Sequence, residues 1–259
     1  MLRRKIFERF FSSENVVCTR IATTCSTPIP APSFSILFIL GGISIVLQLF
    51  TKFFQGSVVL LLFMGTEAIA QGMRSIDGCS IRRGTLCSDA NLYGADLQNA
   101  NLANSQFTRS VLSGANLTEA NLNEANLSGA QLRGAKLNQA SLVKTNARGA
   151  RFNDAQLVGA NMRAAILHNA DLSGADMTES VLTSADLTNA RLSGAKLDSA
   201  NLMGANMRAA NLRGASLVSA NLQGVNFTGA DLTDADLSEA ILDNAIFNLA
   251  KTSGCKGCP

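Results

Sequence analysis

The sequence predicts an all-β solenoid, a square coil of short extended segments, and three observations predict it. The first is an unbroken period of five from Asp89 to Ala250. From Ala90 onward the small position of each five is Ala in 27 of 32 cases, the others being Ser105, Ser110, Thr145, Ser180 and Val225. The large position two residues later holds 24 Leu, four Phe, three Met and Ala147. A helix places apolar side chains about 3.6 residues apart, which a period of five does not serve. Residues two apart do share one side of an extended chain. Each five therefore reads as a short extended piece, with its small and large side chains inward, followed by a turn. The second observation is where Gly falls, since Gly takes the positive φ that repeated corners need. Reading every twentieth residue gives Gly94, Gly114, Gly134, Asp154, Gly174, Gly194, Gly214 and Asp234, six Gly in eight. The third is an echo at sixty residues, such as Gly114/Gly174, Glu119/Glu179, Lys136/Lys196 and Arg148/Arg208. Sixty is three twenties, so four fives make one turn, and the array holds eight turns.

The run of A-(D/N)-L-x-x units, as in Ala95-Asp96-Leu97-Gln98-Asn99 and Ala200-Asn201-Leu202-Met203-Gly204, resembles the pentapeptide repeat family. That resemblance implies a right-handed quadrilateral β-helix. It leaves the role open, because the family spans many.

Ahead of the array the chain changes character. Residues 1–33 carry Arg3, Arg4, Lys5, Arg9 and Arg20, many Ser and Thr, then Pro28, Pro30 and Pro32, a composition for a targeting lead rather than a core. Phe34 to Phe50 is 17 residues without a charge, at the lower limit for a membrane span. Beyond Lys52 a second apolar run from Phe53 to Met64 leads into Ala68-Ile69-Ala70, a small-x-small site. This is the pattern of a secretory signal cleaved after Ala70, leaving Gln71 as the mature N-terminus. A two-part address for a thylakoid lumen is one account of the long lead. The competing account is an uncleaved anchor through residues 34–64. One segment with its positive side in the cytoplasm puts the array outside in either case, in a lumen or a periplasm. Residues 1–70 are thus the lead with its signal or anchor, and 71–88, out of phase at Ile76, Cys79 and Ile81, the N-terminal cap. The repeat body is 89–250, and the tail 251–259 is expected to fold back as a second cap over Ile246 and Leu249.

Eight turns spaced like strands give a rod of roughly 38 Å. Ala147 interrupts a column of Phe107, Leu127, Leu167, Leu187, Met207, Phe227 and Phe247, and Phe152 is the next centre along. A larger ring there fills what Ala147 leaves. The full chain has formal charge +3, yet Asp89 to Ala250 holds 11 Lys/Arg against 15 Asp/Glu. That balance does not suit steering of nucleic acid. On the outside, Arg133, Arg151, Arg191 and Arg213 fall on one side, with Arg148, His168 and Arg208 on the next. Glu119, Asp176, Glu179, Asp198, Asp236 and Glu239 gather on another. These are either solvated faces or the basic and acidic sides of a rod that docks different partners. Ile241 and Ile246 stand at outward positions that are elsewhere mostly polar, which marks a covering segment or a partner. A two-fold homodimer through that end would bury the same residues.

Cys79 and Cys87 lie at one end of such a rod, and Cys255 and Cys258 at the other. Bridged Cα atoms sit about 4.4–6.8 Å apart, so pairing across the ends is excluded and Cys79–Cys87 with Cys255–Cys258 remains. End staples suit an exported protein. The alternative for Cys255-Lys256-Gly257-Cys258 is a redox or metal-binding CxxC.

Catalytic machinery is not indicated. His168 has no nucleophile or carboxylate set beside it in the pattern, and phosphate loops, triads and cofactor motifs are absent from the sequence. The expected function is a non-enzymatic rigid scaffold or protein–protein interaction module after export, with an unidentified protein partner, no cofactor and no nucleic acid. It would act as a monomer or as a homodimer through its C-terminal end. The alternatives are a DNA-mimicking topoisomerase binder, as some members of the resembled family are, and a membrane-anchored repeat protein.

Overall fold

A computed structural model describes residues 75–259 throughout, together with the backbone of 35–40 and 43–48. The chain divides into two units, Met1–Met64 and Gly65–Pro259. In the first, β1 (Ser35–Leu40) and β2 (Ile43–Gln48) pair antiparallel, with Ser35 opposite Gln48 and Leu40 opposite Ile43. Their Ile, Val, Leu and Phe content favours extended pairing. Among the described residues no helix is long and apolar enough to cross a membrane. The second apolar run and the cleavage residues Ala68, Ala70 and Gln71 lie outside the described residues.

The second unit opens with a hairpin of β3 (Ser75–Ile76) and β4 (Cys79–Ser80). Asp77 and Gly78 both take positive φ, 49° and 73°, the requirement of the two-residue turn that Asp-Gly favours. Ile76 and Ile81 pack against the start of the core. The Asp77 carboxylate accepts the Asn91 N–H at 3.0 Å, tying the hairpin to the first coil.

From there one rule holds. Among the described residues, 31 parallel pairings run from Leu86 with Gln106 to Asp236 with Lys256, each joining positions twenty apart, so four fives make a turn. Within a rung two backbone bonds link successive coils, as when Val111 N donates to Ala90 O at 2.9 Å and Leu92 N to Val111 O at 2.7 Å. At each corner a third bond closes a four-residue turn, such as Ala95 N to Leu92 O at 3.1 Å. The third residue of that turn has positive φ whether it is Gly or not: Gly94 62°, Asn99 57°, Asn104 59°, Arg109 57°. All four corners are therefore alike, and the concentration of Gly on one of them is not a demand of backbone geometry. An added Cβ at Gly94, Gly114, Gly134, Gly194 or Gly214 would meet nothing within 4 Å.

The inward pairs form one continuous core. The Leu, Met and Phe centres from Leu92 to Leu237 are buried, as are Ala147 and the Ala positions between them apart from the partly buried Ala100. Phe227 and Phe247 stack with ring centroids 5.1 Å apart. Burying each such Leu contributes on the order of 1.5–3 kcal/mol. Four hydroxyl residues stand fully buried at Ala positions. Ser110 donates to Cys87 O at 2.6 Å and Thr145 to Leu122 O at 2.8 Å, both to a carbonyl 23 residues earlier. Ser105 Oγ accepts from Thr85 N at 3.2 Å, whereas Ser180 Oγ finds no partner.

The coil is longer than the array of Leu centres. Leu86 already pairs at its start, and Lys251 and Lys256 pair with Asp231 and Asp236 at its end. Residues 251–259 thus do not fold back over the last coil. They keep the phase, with Cys255 at a small position and Thr252 and Gly257 where Leu is the rule, and so run on around the first two sides of the next turn. Ile241, Ile246 and Leu249 remain uncovered, at 50%, 41% and 88% exposure.

Candidate functional site

The outward surface is built by the same short unit. The Asp or Asn that precedes each centre turns its side-chain oxygen onto the backbone two residues ahead. Asn91 accepts from Tyr93 N at 3.2 Å, Asp186 from Thr188 N at 3.1 Å and Asn221 from Gln223 N at 3.1 Å. Where the acceptor is followed by Ser or Thr the hydroxyl donates as well, as in Thr178 to Asp176 at 2.7 Å and Thr233 to Asp231 at 2.6 Å. This is the local Asx bond that makes Asp and Asn turn residues. Asp171, Asp176, Asp186, Asp231 and Asp236 are thereby fixed through one oxygen, and at Asp231 and Asp236 the other meets a cation.

Four faces result, each a set of columns spaced twenty residues apart. The face of Asn91 carries Arg133, Arg151, Arg191 and Arg213, all exposed. Its rung column runs Gln131, Arg151, Asp171, Arg191, Asn211, Asp231, Lys251. Arg151 and Arg191 thus flank Asp171, while Arg133 lies 3.5 Å from Asp154. Arg213 and Lys251 share Asp231 at 3.8 and 3.7 Å. The arginines do not make a basic side; they alternate with carboxylates. Burial pushes the Asp171 carboxyl up, but the Ser173 hydroxyl, Asn153, the Ser173 N–H and Arg191 together outweigh it and hold it below the ordinary aspartate value. The Thr233 hydroxyl leads the groups that hold Asp231 low in the same way. A shallow concavity of about 610 Å³ lies on this face between Arg133 and Arg151, where Ser113, Ser173 and Gly174 leave space. A second, of about 620 Å³, runs over its edge from Arg151, Asp171 and Arg191 to Gly149, Asn169 and Asn189.

The face of Asp96 differs. It carries seven carboxylates, Asp96, Glu119, Asp176, Glu179, Asp198, Asp236 and Glu239, against Lys136, Lys196 and Lys256. Asp198 accepts from the Ser216 hydroxyl and from Val218 N at 3.1 Å, and Asp236 from Ser238 N at 3.0 Å. Glu239 takes the Ser219 hydroxyl at 2.9 Å. The face of Asn101 is balanced, Lys144 and Arg163 against Glu124 and Asp243, and its rung column, Asn101, Asn121, Ser141, Asn161, Val181, Asn201, Asn221, Ile241, is uncharged. The fourth face holds Arg148, His168 and Arg208, and the Arg109–Asp89 pair at 2.8 Å. His168 is half-buried in that column. Among the described residues no group of three or more His, Cys, Asp or Glu is placed to hold a metal.

The sequence profile described as Pentapeptide repeats matches in 8 copies over residues 86–124, 125–163, 165–204 and 210–248, more than half of the chain. The chain belongs to the pentapeptide repeat family. No protein of curated function matches it. Solved structures similar to this pentapeptide rod include HetL, a protein involved in heterocyst differentiation regulation from the cyanobacterium Nostoc sp. strain PCC 7120. It is 29% identical over 67% of this chain and 89% of that one, with TM-score 0.35. Rfr23 of the cyanobacterium Cyanothece 51142 is 33% identical over 37% of this chain, which spans 63% of that protein, with TM-score 0.33. A pentapeptide repeat protein of the Arabidopsis thaliana thylakoid lumen is 31% identical over 45% of this chain and 64% of that one, with TM-score 0.20.

The four cysteines of the pentapeptide rod are brought together in pairs at its ends. Cys79 and Cys87 are bridged at 1.95 Å, both buried, and link the hairpin to the first centre. Cys255 and Cys258 are bridged at 1.96 Å and stand half-exposed. The interleaving of charge around Asp171 was not read from sequence, although every twentieth residue from Arg151 displays it. The Asx role of the polar position had a signal too, in its restriction to Asp and Asn in most fives.

Proposed function

We propose that this protein is a non-enzymatic interaction module, exported across a membrane, that presents its acidic face to a protein partner with a basic surface. The observation that carries the reading is the segregation of charge. The Asp96 face holds seven carboxylates against three lysines, while the Asn91 face interleaves its arginines with Asp154, Asp171 and Asp231. Hydrogen bonds to Ser216, Val218, Ser219 and Ser238 hold several of those carboxylates in place before any partner arrives, so little ordering is left to oppose binding. Nucleic-acid mimicry is the weaker reading. Seven carboxylates over a rod of roughly 38–43 Å give one per ~6 Å, against about one charge per 1.7 Å of duplex DNA, and three lysines dilute them further.

Glu119→Lys, Glu179→Lys and Glu239→Lys together reverse this face without touching an inward position. A photo-crosslinker is placed at residue 199, an exposed position of that face left unchanged in the triple variant. It is expected to capture one basic partner in the native compartment, with capture lost in the triple variant, while the same group at residue 201 captures none. Equal capture at both sites would overturn the assignment. Export is tested separately by fractionation and N-terminal sequencing, with Gln71 as the expected first residue. A native chain that keeps residues 34–64 in the membrane would replace cleavage with anchoring.

A further inference from the structure

The last rung of the coil is closed by a device found at no other rung of the described residues. Cys255 occupies a small position and Gly257 a centre, so the chain has neither the usual Ala nor the usual Leu to hold this corner. Gly257 instead lies against the preceding coil with φ of 70°. A Cβ there would stand 2.6 Å from Leu237 O and 2.8 Å from Leu237 C. Backbone cannot give way as a side-chain tip can, so only Gly fits this approach. Two backbone bonds hold the segment to the coil: Lys256 N donates to Ala235 O at 2.9 Å, and Leu237 N to Lys256 O at 2.7 Å. Lys256 Nζ reaches Asp236 at 3.3 Å, an exposed pair. The Cys255–Cys258 bridge spans both bonds and clamps the rung in place of a core side chain.

The two staples of the rod differ in access. Cys79 and Cys87 are 2% and 3% exposed, so an incoming thiolate has no approach to their sulfurs. Cys255 and Cys258 are both part-exposed. Thiol–disulfide exchange needs a thiolate to reach one sulfur in line with the bond, so access selects which bridge reacts. We propose that Cys255–Cys258 is a reversible exchange site for an external dithiol, and that its reduction releases the Lys256 rung from the coil.

In the step, one thiolate of the dithiol attacks a sulfur of the pair and forms a mixed disulfide, and the other cysteine leaves as thiolate. The second thiol of the donor then displaces the first cysteine. The Cys255–Cys258 bond is broken and a disulfide forms in the donor, two electrons passing to the pair and two protons from the donor thiols to the cysteines. With the clamp open, the rung is left with its backbone bonds, one exposed ion pair and the separate, part-buried Cys255 and Cys258 side chains, and Gly257 offers no side chain where Leu is the rule.

The full chain is equilibrated in graded ratios of reduced to oxidised dithiothreitol, quenched by alkylation and read peptide by peptide by mass spectrometry. Cys255 and Cys258 are expected to become alkylated together at a reductant ratio at least tenfold below that needed for Cys79 and Cys87. Over the same range, exchange of the Leu237 and Lys256 amide hydrogens should rise at least tenfold, while Asp234 N, bonded to Ser253 O at 2.9 Å, keeps its protection. The double variant Cys255→Ala, Cys258→Ala should show the reduced protein's exchange pattern at every reductant ratio, with an unchanged far-ultraviolet spectrum. A protein dithiol bearing its own CxxC pair, supplied in catalytic amount, tells a protein donor from a small-molecule one by whether it accelerates the same reduction, and either rate supports the exchange site. Simultaneous reduction of both staples, or reduction that leaves Leu237 and Lys256 protected, would overturn the proposal.

Discussion

Leu172→Ala tests the inward phase at mid-rod. Leu172 is fully buried, and its column neighbours on the adjoining coils, Phe152 and Leu192, are buried as well. The ladder fixes all three, with Phe152 N on Asp171 O at 2.6 Å and Leu172 N on Arg191 O at 2.7 Å. Coils held by such bonds on both sides cannot close over a lost side chain, so the cavity term persists. Leu→Ala losses in well-ordered cores run about 2.7–5 kcal/mol, and the upper half of that range is expected here. For a unit of this size each kcal/mol moves the melting temperature by about 2–4 °C, so the shift is on the order of 10 °C. Leu172→Asp should be worse, since it buries a carboxylate among Ala and Leu with no cation in reach. Asn201→Asp is the control. Asn201 Oδ1 accepts from Met203 N at 3.2 Å, a role an aspartate oxygen fills equally, as Asp186 and Asp231 do. Circular dichroism melts of the three variants decide the matter. A Leu172→Ala loss below about 0.5 kcal/mol, the usual range of surface changes, would refute the assigned inward phase.

The remaining predictions concern the polar exceptions and the exposed end. Ser180→Ala removes a buried hydroxyl that has no partner, and urea unfolding should show a gain of about 1 kcal/mol, whereas Ser110→Ala, which loses the bond to Cys87 O, should cost about the same amount. The Asp171 carboxyl sits below its ordinary 3.8, so its stabilisation is present above that value and lost as pH falls through the native one; Asp171→Asn should flatten the acid limb of a plot of melting temperature against pH. Leu249 combines 88% exposure with a φ of 58°, so Leu249→Gly should raise the melting point by relieving a left-handed strain of about 1 kcal/mol. With Ile241 and Ile246 uncovered, light scattering should find the intact chain self-associated through this end and Ile246→Asp monomeric; an intact chain already monomeric would refute that contact.

How much of this was legible in the sequence depended on which physical constraint each residue obeys. The Ala and Leu positions answer to a single demand, the width of the core, and repetition makes such a demand visible in one dimension. The turn of twenty was legible too, although the Gly column that suggested it marks no special corner: Glu119 and Gln139 take the same positive φ as Gly114 and Gly134. What Gly does at those positions is leave the Asn91 face open, and at Gly174 it makes room for the Asp154 carboxylate, 2.8 Å from where a Cβ would stand. The arginines misled for a related reason. Taken as a set, Arg133, Arg151, Arg191 and Arg213 form a basic side, but a ladder brings residue and residue-plus-twenty together, and along that axis Asp171 separates Arg151 from Arg191. The tail misled by composition. Thr252 and Gly257 lack the Leu signature, yet backbone pairing does not need a particular side chain, and Lys251 and Lys256 keep the phase that their centres abandon. In a solenoid the backbone ladder sets where each side chain stands, so charge should be read along columns of twenty and not along the string. On that reading the Asp96 face, with seven carboxylates against three lysines, carries the largest charge imbalance of the four among the described residues, and a uniform rod acquires a side.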